Sequence, residues 1–291
     1  MDLILKNKVA IITGGNQGFG LEVAKEYLEA GASISICARN EQLLSKVSED
    51  LHLLISANQK ILTIKVDVSK VNDVHNFVEK TIEELGQIDI LVNNAGVYGP
   101  KGTIEEVDWV SWVHAIEINL LGSILMCRAV LPFFKIQGYG KIIQLSGGGA
   151  TNPMPKISAY AVSKTAIVRF VETLAEEVRE FNIDVNAIAP GALNTRMLDE
   201  VIAAGPEKVG RLFYDKALKQ HESGGAGFDQ GTALAVFLAS DSSNGITGKL
   251  ISAIWDNWEN WYNHIDELQT SDVYTLRRIV GKDRNFNWGD K

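Results

Sequence analysis

A tyrosine and a lysine four residues apart, Tyr160 and Lys164 in Tyr-Ala-Val-Ser-Lys, are the side chains in this sequence best suited to acid–base work. In a helix that spacing sets one above the other on the same face. A free phenol titrates at roughly 10 and a free ammonium at about 10.4, so neither exchanges protons usefully near neutrality. An ammonium held beside the phenol favours the phenolate and lowers its pKa. Bringing it to about 7 takes roughly 4 kcal/mol, most of which one close cation in a partly dry site supplies. The pair therefore reads as a proton donor to a carbonyl, or an acceptor from an alcohol. A Tyr and a Lys at this spacing also occur on plain helix surfaces, so the elements upstream must decide.

Those elements begin with the short apolar run at 9–12, which suits a strand buried on both faces. It leads into Thr13-Gly14-Gly15-Asn16-Gln17-Gly18-Phe19-Gly20, after which Leu21, Ala24, Tyr27 and Leu28 have helical spacing up to Gly31. Strand, glycine loop and helix together hold a pyrophosphate: glycine lets the backbone approach, and the first helical amides point at the anion. A second strand at 33–38 ends at Arg39. An acidic residue here would accept hydrogen bonds from a ribose, but Cys37 and Ala38 carry no carboxylate. Arg39 instead offers a fork suited to a 2′-phosphate, which favours NADP over NAD.

The alternation continues with helices predicted over 41–58 and up to Gly86, and with strands at 61–66 and 88–92. A long helix over 105–137 carries Asn119. A fifth strand at 141–145 ends at Ser146, the Tyr160 helix runs to Phe181, and a sixth strand at 184–189 ends at Pro190-Gly191. This pattern predicts an α/β doubly wound parallel sheet, a Rossmann fold, in which ligands bind at the strand C-termini.

Composition sets the outer bounds. With 46% apolar and 22% charged residues the chain is an ordinary globular one, and its net charge of −8 argues against a nucleic-acid partner. Cys37 and Cys127 are far apart and form no CxxC motif, which predicts a reduced, metal-free, cytoplasmic protein. The Met1-Asp2 start shows no cationic leader, and no apolar run approaches the roughly 20 residues of a membrane span.

Over residues 6–254 the chain resembles the classical short-chain dehydrogenase/reductase family. The resemblance rests on Thr13-Gly14 with Gly18 and Gly20, Asn93-Asn94-Ala95-Gly96, Asn119, Tyr160 with Lys164, and Pro190-Gly191 with Thr195. It implies a first domain over 1–254 with a C-terminal extension over 255–291, and a carbonyl–alcohol oxidoreductase active as a homodimer or homotetramer. Tyr160 would be the general acid/base, and Lys164 would tune it and bind the nicotinamide ribose. Asn119 would hold a proton-relaying water. Asp67 and Val68 would contact the adenine, Asn93 with Ala95 and Gly96 the adenosine-side ribose and nearby backbone, and Leu193 and Thr195 the carboxamide. Gly14, Asn16, Gly18, Phe19, Gly20, Pro190 and Gly191 would complete the cofactor cradle.

Two departures from the family stand out. The resemblance implies a catalytic serine on the loop after the fifth strand, but Gly147 stands at the usual spacing and Ser146 is one residue early. An extra residue in the loop around 151–156 would bring Ser146 to bear. Otherwise Thr151, Ser158 or a backbone amide of the glycine triplet takes its place. The second departure is the tail, where Trp255, Trp258 and Trp261 recur at three-residue steps ahead of Arg277, Arg278, Lys282 and Arg284. These residues either stack on and grip a nucleotide-linked sugar or pack the tail onto protein. An acyl or polyketide carbonyl is the alternative substrate, and a non-catalytic dinucleotide sensor the alternative role.

Overall fold

Seven apolar runs become the seven strands of one sheet in a computed structural model that describes residues 3–288. The expectations for Met1-Asp2 and for residues 289–291 of the extension lie outside the described residues. The elements are β1 (Val9–Thr13), α1 (Gly18–Glu29), β2 (Ser33–Ala38), α2 (Glu41–His52), β3 (Ile61–Lys65), α3 (Val71–Leu85), β4 (Ile90–Asn93), α4 (Trp109–Ile116) and α5 (Ser123–Gln137). They continue with β5 (Gly140–Leu145), α6 (Ser158–Val178), β6 (Ile183–Ala189), α7 (Arg196–Val209), α8 (Arg211–Ser223), α9 (Asp229–Ala239), β7 (Leu250–Ser252) and α10 (Ile265–Thr270).

All pairings are parallel, in the order β3-β2-β1-β4-β5-β6-β7. Successive strand residues face opposite ways. Ala10 and Ile12 thus enter a core with Val23 and Tyr27 of α1 and Leu234 of α9. Ile11 enters a second core with Phe77 of α3, Met126 of α5 and Val171 of α6. Burial on both faces is why these strands are contiguous apolar runs.

Four sequence expectations change. The helix expected over 105–137 starts at Trp109, because the Asp108 carboxylate caps it by accepting from Ser111 N at 2.7 Å. It is then interrupted by a wider π turn, Glu117–Gly122. The helix expected over 41–58 stops at His52. In the tail, Trp258 and Trp261 are buried in the α1/α9 core, whereas Trp255 is 87% exposed, so the three do not form one face. The region 109–137 is also long and apolar enough to cross a membrane by length and composition alone, contrary to the sequence reading. Here Met126, Cys127, Val130 and Phe134 cover the sheet.

Candidate active site

A cleft of about 270 Å³ lies along the C-terminal ends of β1, β2 and β4. Gly14 reaches it with φ +65, a conformation that suits glycine, and an added Cβ there would touch Ala95 Cα at 3.0 Å. The first turn of α1 has no side-chain cap and no acidic residue, which leaves its amides for an anion. Of the expected cofactor residues, Gly14, Asn16, Gly18, Phe19, Arg39, Asp67, Val68, Ala95, Gly96 and Thr195 line this cleft. Cys37 lines the cleft floor with its thiol fully buried, and burial pushes its pKa up to about 12, so it is neutral. Burial works to raise the Asp67 pKa, but hydrogen bonds from Ser69 and the charge of Arg39 prevail and lower it. A glycine cradle, an open helix N-terminus and a cation beside the ribose end fit a dinucleotide.

Gly20, Asn93, Tyr160, Lys164, Pro190, Gly191 and Leu193 are not among the lining residues. Gly20 is a packing position: its Cβ would meet Asn94 Nδ2 at 2.3 Å. Asn93 is turned under the sheet edge, donating to Ser123 O at 3.0 Å and Cys127 Sγ at 3.5 Å. Its neighbour Asn94, which the sequence reading left without a role, straps the glycine loop instead. Asn94 Nδ2 donates to Thr13 O at 2.9 Å and Gly14 O at 3.1 Å.

The cleft reaches Lys164 at Gly96, where an added Cβ would lie 3.3 Å from Asn119 Oδ1 and 3.8 Å from Lys164 Nζ. Asn119 sits on the π turn, buried. Its Oδ1 accepts from Val97 N at 2.8 Å, and its Nδ2 donates to Val97 O at 2.8 Å and Ser163 Oγ at 3.0 Å. Lys164 Nζ lies 5.7 Å from the Tyr160 ring centroid and donates to Leu145 O. Burial lowers the Lys164 pKa to about 8. Tyr160 departs from expectation: burial, then the neighbouring Tyr98 phenol, push its pKa up rather than down.

Gly147 occupies the place facing the phenol, since a Cβ there would lie 2.6 Å from Tyr160 Oη. Ser146 shares a strand face with Gln144, which is paired in register with Asn93, and both of these amides donate to Cys127 Sγ. The Ser146 hydroxyl is thus turned into the interior, buried and without a hydrogen-bond partner, as are Asn93 Oδ1 and Gln144 Oε1.

The chain matches the short chain dehydrogenase family over residues 8–205. It is 33% identical over 247 residues to dehydrogenase/reductase SDR family member 4 of Caenorhabditis elegans, covering 84% of this chain and 93% of that one. It is 34% identical over 254 residues to a 3-oxoacyl-(acyl-carrier-protein) reductase of Chlamydia muridarum, covering 87% and 98%. A gluconate 5-dehydrogenase from Burkholderia cenocepacia, solved with NADP and tartrate, superposes with a TM-score of 0.75 at 27% identity over 86% of this chain and 94% of that one. With this cleft, this sheet and these relatives, the chain belongs to the short-chain dehydrogenase/reductase family and is an NAD(P)-dependent oxidoreductase.

Proposed function

We propose that the protein is an NADP(H)-dependent reductase that interconverts a carbonyl and a secondary alcohol, with Tyr160 exchanging the proton with the substrate oxygen. The observation that carries this reading is Lys164 Nζ reaching the cleft wall at Gly96, with the Tyr160 ring 5.7 Å from that ammonium. The bound nicotinamide supplies or takes the hydride. Lys164 holds a positive charge deep in the site and Asn119 fixes the loop that carries Val97. The NADP preference rests on Arg39 beside the cleft and on neutral Cys37 where a carboxylate would otherwise bind the ribose. The relative solved with NADP is consistent with it.

For the substrate, the wall beside Tyr160 favours an apolar body. Tyr98 packs on a cluster of Leu198, Val201, Val209, Phe213 and Tyr214 from α7 and α8. A nucleotide-linked sugar gains no support, because Trp258 and Trp261 are in the core and Arg277 is paired with Glu172 and Asp272. We also propose a homodimer or homotetramer, supported by exposed Trp109, Val110, Leu121 and Val162 on the α4–α6 helices. A cytoplasmic location, testable by fractionation, is supported by two free buried cysteines.

The test is NADPH oxidation across a carbonyl panel, together with cofactor titrations of Arg39→Ala. That variant weakens NADPH binding by about 1–3 kcal/mol, the scale of a charge-assisted bond, and leaves NADH nearly unchanged. Tighter binding of NADH than NADPH by the unaltered protein reverses the cofactor assignment. The absence of turnover on every carbonyl refutes the reductase.

A further inference from the structure

With Gly147 facing the Tyr160 hydroxyl, no side chain at that position can supply a second hydrogen bond to a substrate oxygen. Of the nearby hydroxyls, Ser146 is turned into the interior, and Ser158 Oγ is held against α4 by accepting from Trp112 Nε1 at 3.0 Å, its own proton still free. Ser163 Oγ donates to Tyr160 O at 2.7 Å, and Thr151 is exposed.

Tyr98 differs from all of these. Its ring meets the Tyr160 ring edge-on with centroids 4.8 Å apart. The loop carrying it is clamped: Asn119 holds both the N–H and the C=O of the preceding Val97 at 2.8 Å. On its other side Gly99 turns with φ +74 against α4 and α6, where an added Cβ would meet Ala115 at 2.7 Å and Ala159 at 3.4 Å. The apolar cluster of α7 and α8 holds the ring as well. Among the described residues no group hydrogen-bonds the Tyr98 hydroxyl. Burial and the charge of Glu200 push its pKa up to about 12, so it stays a neutral donor at working pH.

Building on the reductase reading, we propose that Tyr98 is a second catalytic hydroxyl, donating a hydrogen bond to the carbonyl oxygen that Tyr160 protonates. Tyr98 keeps its own proton throughout. As the hydride reaches the carbonyl carbon, the C=O π pair moves onto oxygen and takes the proton of Tyr160, while Tyr98 stabilises the developing charge. A clamped phenol replaces a loop serine, and so the site tolerates glycine at 147.

The test is Tyr98→Phe, which keeps the ring and its packing, set beside Tyr160→Phe and measured with the best ketone of the panel. We expect kcat to fall about 10²-fold, the scale of one lost oxyanion donor, with KM within about threefold. NADPH affinity, read by fluorescence on the same protein, and Tm stay unchanged. A kcat within threefold of the unaltered protein, with Tyr160→Phe inactive, overturns the role of Tyr98 alone and leaves a backbone amide of the glycine triplet as the donor. Full activity in Tyr160→Phe, or no turnover by the unaltered protein, removes the underlying reading and this proposal with it. A lowered Tm or weakened NADPH binding in Tyr98→Phe marks the residue as structural and also overturns the proposal.

Discussion

At the residue scale, two questions stand out, the charge on Lys164 and the hydrogen bonding of Ser146. The Lys164 pKa falls to about 8 because burial penalises the ammonium. Below that pH the native state carries a buried charge at a cost. Between about 8 and the unfolded value near 10.4, the unfolded chain binds more protons, so stability rises with pH. Two results follow if the ammonium serves turnover. Carbonyl reduction declines as pH rises through about 8. In thermal melts from about pH 8 to 10, the unaltered protein gains stability relative to Lys164→Met. A rate profile flat to about pH 9, roughly a unit past the Lys164 value of about 8, would remove Lys164 from the mechanism. Ser146 presents the opposite case, a hydroxyl with nothing to lose. Its Oγ is buried and unpartnered, so Ser146→Ala removes an unsatisfied polar atom without breaking a bond. We expect stability that is unchanged or slightly higher and turnover within about threefold; a 10²-fold loss would place the hydroxyl on the substrate after all. Tyr160 and Lys164 were legible in the sequence from their four-residue spacing, and Asn119 from the family resemblance. The orientation of Ser146 was not, because the chain's path through the glycine triplet decides which of two adjacent residues meets the phenol.

At the element scale, the strands were the easiest part to read. The central strands β1 and β4 are buried on both faces and so are written as contiguous apolar runs, whereas the edge strands β3 and β7 are only partly buried. The π turn Glu117–Gly122 had no such signature, since its residues favour an ordinary helix equally well. Contact decides it: Gly122 is pressed onto Val68, where an added Cβ would sit 2.9 Å from Val68 Cγ2 and 3.0 Å from its carbonyl oxygen. The turn places Asn119 where one side chain satisfies both backbone groups of Val97. Asn119→Ala leaves those groups unpaired, and we expect a loss of about 2 kcal/mol in urea unfolding. A change below about 0.5 kcal/mol would show that the clamp does not hold the loop.

At the scale of the whole molecule, the extension closes the exposed edge of the sheet. Leu250 N donates to Tyr274 O at 2.8 Å, and Lys249 Nζ donates to Ser271 O and Val273 O at 3.1 and 3.0 Å. An edge strand left bare invites pairing with another chain, and here the chain's own tail takes that place. The α4–α6 helices, with exposed Trp109, Val110 and Leu121, are the faces on which we propose that a second copy packs. Sedimentation at micromolar concentration is expected to show at least a dimer, and a single species near 31.9 kDa would contradict this. By itself the sequence determined the doubly wound sheet, the dinucleotide cradle and the Tyr160–Lys164 pair. These follow from periodicity and from residue types at strand ends, which act locally. The facing of Gly147 rather than Ser146, the clamp on Tyr98 and the burial of Trp258 and Trp261 were decided only by the tertiary structure. Each depends on contacts between segments distant in sequence, where one added Cβ or one buried hydroxyl changes which arrangement fits.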